Sequence, residues 1–434
     1  MSELALGILG MVAMFGAMIL RMPVGMAMLS VGFFGTWALN GGRSAMALLA
    51  TETYSSVSNY SLVVIPLFLL MGNVASAAGF SRGLYEAAFA WVGGFRGGLA
   101  SASVIGCAAF SAVSGSSVAT AVTIGRAALP EMKRFGYSDR LATGAIAAGG
   151  TLGFLIPPST GFVIYAILTE SSIGQLFMAG ILPGLLLTAL FIVTIVVITT
   201  LRPEAGPRNV HMSWASRFAA LAGALPLLTV IVVSIGGIYV GAFTPVEASG
   251  IGAMLVILLA VLSRKLNGRM LFQAGVETIG TSAMLFLIVI GANVLNPFLS
   301  FTHLPDALGH ALKATNLGPY GILFLIIGVY LVLGMFMDGL AMLVVTIPIF
   351  FPVVVSLGFD PIWYGVISVI AIEMGMITPP VGLNVFVVKG VAKDVPMAEI
   401  FRGVMPFWVA MITCLLITVV FPKLALIIPQ TMFR

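Results

Sequence analysis

Residues 114–117 read Ser-Gly-Ser-Ser and interrupt an apolar stretch, AFSAVSGSSVATAVTIG. Hydroxyls and a glycine at a turn between two short helices offer oxygen donors and free backbone groups. The N-terminus of a helix attracts carboxylates, because its first N–H groups lack partners. Free carbonyls and hydroxyls suit sodium. Ser114, Gly115, Ser116 and Ser117 are therefore candidate ligands, with Ser114 and Ser116 facing an anionic substrate and Ser114, Gly115 and Ser117 facing sodium. The plainer alternative is a contact of small residues between helices. A second constellation, Met337-Asp338-Gly339-Leu340, sits in LVLGMFMDGLAML. Asp338 is an acid within a long apolar run, where an unpaired carboxylate is costly and marks a site by default. Asp-Gly is also good turn chemistry. Asp338 and Gly339 are candidate substrate contacts, and Gly339 a candidate sodium contact.

Two proline pairs come next, Ile156-Pro157-Pro158-Ser159-Thr160 and Thr378-Pro379-Pro380-Val381-Gly382. Proline has no N–H and its ring blocks continuation of a helix. Each pair unwinds its helix and frees carbonyls of the preceding turn. Freed oxygens at Pro157, Thr160, Thr378, Pro379 and Gly382, with the side chain of Asn384, make a candidate sodium-ligand set. A simple kink is the alternative. Glu247, after Thr244-Pro245-Val246, reads as an ordinary helix start and also as a polar contact to the substrate path. Glu373, upstream of the second proline pair, has the same two readings.

Other chemistry is excluded. There is no phosphate-loop Gly-Lys-Ser/Thr and no HExxH, so neither an ATPase nor a zinc-dependent membrane hydrolase is read here. Cys107 and Cys414 stand far apart in apolar runs, and His211, His303 and His310 lack ligand spacing.

The elements that must position these residues are membrane helices. Of 434 residues, 60% are apolar and 8% charged. A soluble domain carries about 25% charged residues. Such a chain cannot clothe a soluble globule, which excludes a water-soluble enzyme and a nucleic-acid partner; its solvent is the lipid bilayer. Residues 4–20 are apolar and the first basic residue, Arg21, follows them, so this segment reads as a retained helix and not a cleaved leader. Apolar stretches of spanning length recur, but 97–113 with 117–130, 141–156 with 160–168, 319–337 with 340–355, and 362–377 with 383–390 are short, adjacent pairs. Short interrupted segments at corresponding places of two halves point to a transporter site.

An offset of 222 residues aligns the halves. It brings Pro130 onto Pro352, Gly136 onto Gly358, Gly153 onto Gly375, Ser116 onto Asp338, and one proline pair onto the other. Lys133, Arg134 and Arg140 surround one loop, while its counterpart at 353–362 has no basic residue. Equivalent loops of opposite character imply inverted halves. Threading the crossings places all but Arg43, Lys313, Lys423 and Arg434 of the 20 Lys and Arg on one side, the cytoplasm, with both termini periplasmic. The expected fold is an all-α polytopic membrane protein: an inverted-repeat transporter with two re-entrant hairpins and two unwound, proline-containing helices.

SAVSGSSVATAVTIG, GGTLGFLIPPSTGFVIYAILTESSIGQLFMAGILPGLLL, GAFTPVEASGIGA, LGMFMDGLAML and MGMITPPVGLNVFVV, in that order, resemble the large membrane subunit of tripartite ATP-independent periplasmic (TRAP) transporters. The resemblance covers nearly the whole chain. It implies a secondary transporter of organic acids, such as sialic acid or a C4-dicarboxylate, in the bacterial inner membrane. It implies sodium (Na+) as the driving ion and an elevator-type fold of the ion-transporter superfamily. It also implies two partners on separate polypeptides, a small four-helix membrane subunit and a soluble periplasmic substrate-binding protein. Sodium would sit between each tip and its unwound loop, and the acid between the tips. The implied organisation is scaffold helices at 1–60, a connecting arm at 61–79, and a transport half with hairpin 1 at 80–200. A cytoplasmic linker follows at 201–216, then scaffold helices at 217–278 and an arm at 279–301. A transport half with hairpin 2 at 302–402 and a C-terminal helix at 403–434 complete it. The rival reading is a stand-alone sodium–carboxylate symporter that needs no binding protein.

Overall fold

The structure is a computed structural model that describes residues 2–208, 213–315 and 317–432. His211 and Arg434 lie outside the described residues. The described residues form helices and no strand. Eight helical segments are long and apolar enough to cross a bilayer, so the chain is a multi-pass membrane protein.

The first half runs α1 (Glu3–Ile19), α2 (Val24–Asn40), α3 (Gly42–Ser58), α4 (Val64–Ala77), α5 (Phe80–Val92), α6 (Gly98–Ser114), α7 (Ser117–Arg134), α8 (Asp139–Leu155), α9 (Thr160–Thr169) and α10 (Ile173–Leu201). The second runs α11 (Trp214–Tyr239), α12 (Pro245–Leu262), α13 (Gly268–Phe301), α14 (Leu304–Ala314), α15 (Gly318–Gly334), α16 (Gly339–Ser356), α17 (Pro361–Met376), α18 (Leu383–Val391), α19 (Met397–Val420) and α20 (Lys423–Thr431). The 34-residue α13 does in one helix what α3 and α4 do in two, and it runs through the expected boundary at 278/279. The last segment holds two helices, because Phe421 and Pro422 break the chain after α19.

The duplication is visible in the backbone. Left-handed turn residues recur as Arg21 and Gly241, Gly41 and Arg264, Gly79 and His303, Gly97 and Gly318, and Gly136 and Gly358, all 220 to 224 residues apart. Each proline pair is joined by a cis peptide bond. The halves also exchange partners: α2 packs on α13, and α12 on α4. At the first of these contacts the backbones touch. A Cβ at Gly32 would stand 2.6 Å from the Val294 carbonyl oxygen, so only glycine permits the approach.

The centre belongs to α8 and α17. Every residue from Leu141 to Leu155 and from Ile362 to Met376 is buried. Apart from Glu373 these two stretches carry no charged residue, as suits helices surrounded by other helices. Each ends at its proline pair, so both unwound loops start from the middle of the molecule.

Candidate functional site

Tip 1 joins α6 to α7 through Gly115 and Ser116. Gly115 is left-handed, at φ 58°, and closes α6 by donating its N–H to the Ser111 carbonyl. Ser116 is extended and caps α7, its hydroxyl accepting the Ala119 N–H at 3.3 Å. Among the described residues, no protein acceptor takes the N–H groups of Ser117 or Val118. They are the unsatisfied donors expected at a helix start. The Ser114 hydroxyl pairs with that of Thr120 at 2.8 Å.

This tip is seated on the first unwound loop. Thr160 donates to the Gly115 carbonyl twice, from Oγ1 at 2.8 Å and from its N–H at 3.3 Å. A Cβ on Gly115 would stand 2.8 Å from the Pro158 carbonyl oxygen. From behind, a Cβ on Gly153 of α8 would meet the Ser116 carbonyl oxygen at 2.5 Å. The proline pair strips Gly153 and Phe154 of their usual i+4 donors. The Ser159 hydroxyl answers one of these carbonyls, that of Phe154, at 2.5 Å. Bared carbonyls beside hydroxyls are the donor set a sodium ion takes, so the residues present fit that ion.

Tip 2 joins α15 to α16. Asp338 caps α16, its Oδ1 accepting the Leu340 and Ala341 N–H groups at 3.0 and 3.1 Å. Its side chain is exposed, while Gly339 is buried between α17 and α8. A Cβ on Gly339 would lie 3.1 Å from Ile372 Cγ2 and Met376 Sδ, and 3.4 Å from Phe154. No hydrogen bond joins tip 2 to the second unwound loop among the described residues. There, Pro379 and Pro380 are exposed and Thr378 is buried. The Thr378 hydroxyl donates to the Met374 carbonyl at 2.6 Å and accepts from the Trp408 indole at 3.0 Å.

The structure thus brings Ser114, Gly115, Ser116, Ser117, Pro157 and Thr160 to one place, and Asp338 and Gly339 to the central helices. Thr378, Pro379 and Gly382 share the second loop. Asn384 lies beyond it on α18, which packs on α7 of the first half. Glu247 stands apart: it makes a reciprocal capping box with Thr244 and is exposed. Ser117 reveals a partner that sequence gave no way to assign, donating to Glu373 Oε1 at 2.5 Å across 256 residues. Glu373 is buried, and the only sequence signal was an acid inside an apolar run.

The family described as "Tripartite ATP-independent periplasmic transporter, DctM component" matches residues 11–424. The chain is 38% identical over 389 residues to the C4-dicarboxylate TRAP transporter large permease protein of Pseudomonas aeruginosa, covering 88% of this chain and 89% of that one. It is 32% identical over 422 residues to the ectoine TRAP transporter large permease protein of Halomonas elongata, covering 97% and 98%. The solved YdaH transporter of Alcanivorax borkumensis superposes with a TM-score of 0.61 at 14% identity over 89% of this chain and 90% of that one, which shows the fold alone. The relatives are transporter permease subunits and not enzymes. The chain belongs to the DctM component family of tripartite ATP-independent periplasmic transporters.

Proposed function

We propose that this chain carries an organic acid across the bacterial inner membrane by sodium-coupled secondary transport. It acts as the large permease of a system completed by a small four-helix membrane subunit and a periplasmic substrate-binding protein. Both termini face the periplasm, the halves are inverted, and α6–α7 and α15–α16 are re-entrant hairpins whose tips meet water midway through the membrane. The observation that carries this reading is the seat of tip 1 on a broken helix, Gly115 on Thr160. Non-helical backbone survives at membrane depth only when buried in protein or facing a water-filled cavity, and two such breaks side by side have few uses besides binding.

The acid is met by the N–H groups at the start of α7 and by the Ser116 hydroxyl, with Ser114 behind. Asp338 cannot attract an acid directly. Its Oδ1 holds the start of α16, which leaves Oδ2 and its charge for a cation travelling with the acid. Sodium supplies positive charge that offsets the substrate. Ser114, Gly115, Ser117, Pro157 and Thr160 are the residues to hold it in the first half, and Gly339, Thr378, Pro379, Gly382 and Asn384 in the second. The parts built on the two hairpins then slide as a unit against α1–α3, α11, α12 and the small subunit. Glu247 contributes by fixing the start of α12.

Uptake into proteoliposomes holding this chain and its small subunit tests the reading, with labelled acids, a sodium gradient, and the binding protein added or omitted. The expected uptake needs both sodium and the binding protein. Uptake without the binding protein makes the chain a stand-alone symporter; uptake indifferent to sodium removes the coupling.

A further inference from the structure

Glu373 lies in the last turn of α17 and is 1% exposed. Its Oε1 accepts the Ser117 hydroxyl, but its Oε2 has no partner. Among the described residues no Lys, Arg or His pairs with it. Asn384, the second residue of α18, is 0% exposed and faces the same carboxylate. Its amide lies near the Glu373 carboxylate, but neither its Oδ1 nor its Nδ2 makes a hydrogen bond of ordinary geometry. Buried polar atoms are nearly always paired, and a buried lone carboxylate is costlier still. Three unpaired buried atoms on two residues that face each other call for a guest.

The donors name its class. A carboxylate, an amide oxygen and a hydroxyl are all hard oxygens, without the nitrogen or sulfur that transition metals favour. One carboxylate with no other charge nearby balances one positive charge. We propose that Glu373, Asn384 and Ser117 form a further sodium site, separate from the seats between tip and loop. This rests on the sodium reading above, and it draws Ser117 and Asn384 away from those seats. The positions one repeat away are Thr151, Phe162 and Gly339, none of them charged, so the site exists once. It also spans the duplication. Ser117 begins α7 directly behind tip 1, whereas Asn384 follows the second proline break. An ion here holds tip 1 to the helix that leaves loop 2, which gives the two halves a common ligand.

The test is thermal unfolding of the purified chain with its small subunit, in rising NaCl against choline chloride at constant ionic strength. Binding to the folded state raises the midpoint. The wild type is expected to gain stability saturably with sodium. Glu373→Gln keeps the shape and loses the charge, and is expected to gain much less; in sodium-dependent uptake its Hill coefficient is lower. A full sodium response in Glu373→Gln, with unchanged steepness, overturns this site while leaving sodium coupling standing. No sodium response in the wild type overturns both. If Glu373→Gln does not fold, Glu373→Asp keeps the charge with a shorter reach. It is expected to need several-fold more sodium for half of the effect, and an unchanged half-saturation overturns the site.

Discussion

Tips 1 and 2 descend from one pattern and end in opposite situations. At tip 1, Ser114 and Ser117 are 7% and 3% exposed, and the adjoining Pro157 and Pro158 are buried. At tip 2, Phe336 is 65% exposed and Asp338, Pro379 and Pro380 are exposed as well. The cause lies in the neighbours. Gly72 of α4 presses on tip 1 so closely that a Cβ there would stand 2.9 Å from Ser114 Cα. Tip 2 faces instead a cavity of about 570 Å³, bounded by Phe15, Met18, Met22, Met337 and Asp338. The duplicated breaks supply the same backbone chemistry twice, and tertiary partners decide which copy is anchored. Tip 1 is held between α4 and the first unwound loop, whereas tip 2 stands open to that cavity.

The hardest blow to that contrast falls at Gly115. In Gly115→Ala the left-handed backbone costs about 1–2 kcal/mol, and the new methyl meets the Pro158 carbonyl oxygen at 2.8 Å, where only backbone can yield. Transport should fall more than tenfold with the protein still in the membrane. Near-normal uptake would show that tip 1 need not be seated. Thr160→Val removes one of the two donors to the buried Gly115 carbonyl, a loss of about 0.5–1.5 kcal/mol. The expected decrease in uptake is roughly tenfold, smaller than for Gly115→Ala because the backbone N–H of Thr160 still donates.

Much of this contrast could not be read from the sequence, for physical reasons. The tips and the proline breaks were legible, because Ser-Gly-Ser-Ser, Asp-Gly and Pro-Pro carry their backbone consequences wherever they stand. The 222-residue offset was legible from proline and glycine positions. Three helices carry no spanning signature in the sequence. Helices α5 and α14 are amphipathic, and α3 carries the polar run TETYSSVS, so none has the sustained apolarity that marks a span. Arg21, Arg264 and His303 hold turns that glycine holds elsewhere in the repeat, which hid those turns. The pairing of Ser117 with Glu373 and the wall made by Gly72 join residues far apart in the chain. Only packing reveals such neighbours.

A milder change separates two jobs at tip 2. Asp338→Ala removes the cap of α16, at about 1 kcal/mol, and the charge with it. Asp338→Asn keeps the cap, since asparagine caps as well as aspartate, and loses only the charge. Uptake should fall several-fold in both, whereas the unfolding temperature should fall in Asp338→Ala alone. Equal uptake by Asp338→Asn and the wild type would reduce Asp338 to a helix cap.

The smallest expected effect extends the comparison from the tips to the hairpin bases. Lys133 in the last turn of α7 pairs with Asp394, in the loop between α18 and α19, so the base of hairpin 1 is tied to the second half. The corresponding end of α16 carries Val355 and Ser356 and has no such tie. The pair is well exposed, at 66% and 59%, so salt screens it and its contribution is slight. Hydrogen bonding and attraction to Lys133 hold the Asp394 carboxyl below its ordinary value, and the same pair raises Lys133. Ordinary values are about 3.9 for Asp and about 10.4 for Lys. The stabilisation is therefore fully present between them, is lost as the pH falls through the lowered Asp394 pKa, and is lost again as it rises through the raised Lys133 pKa. Asp394→Asn should lower the unfolding midpoint slightly at neutral pH and low salt, and the difference should vanish in 1 M salt and in acid. A difference that survives high salt would mean that Asp394 holds hairpin 1 through packing, and the two bases would then differ in shape instead of charge.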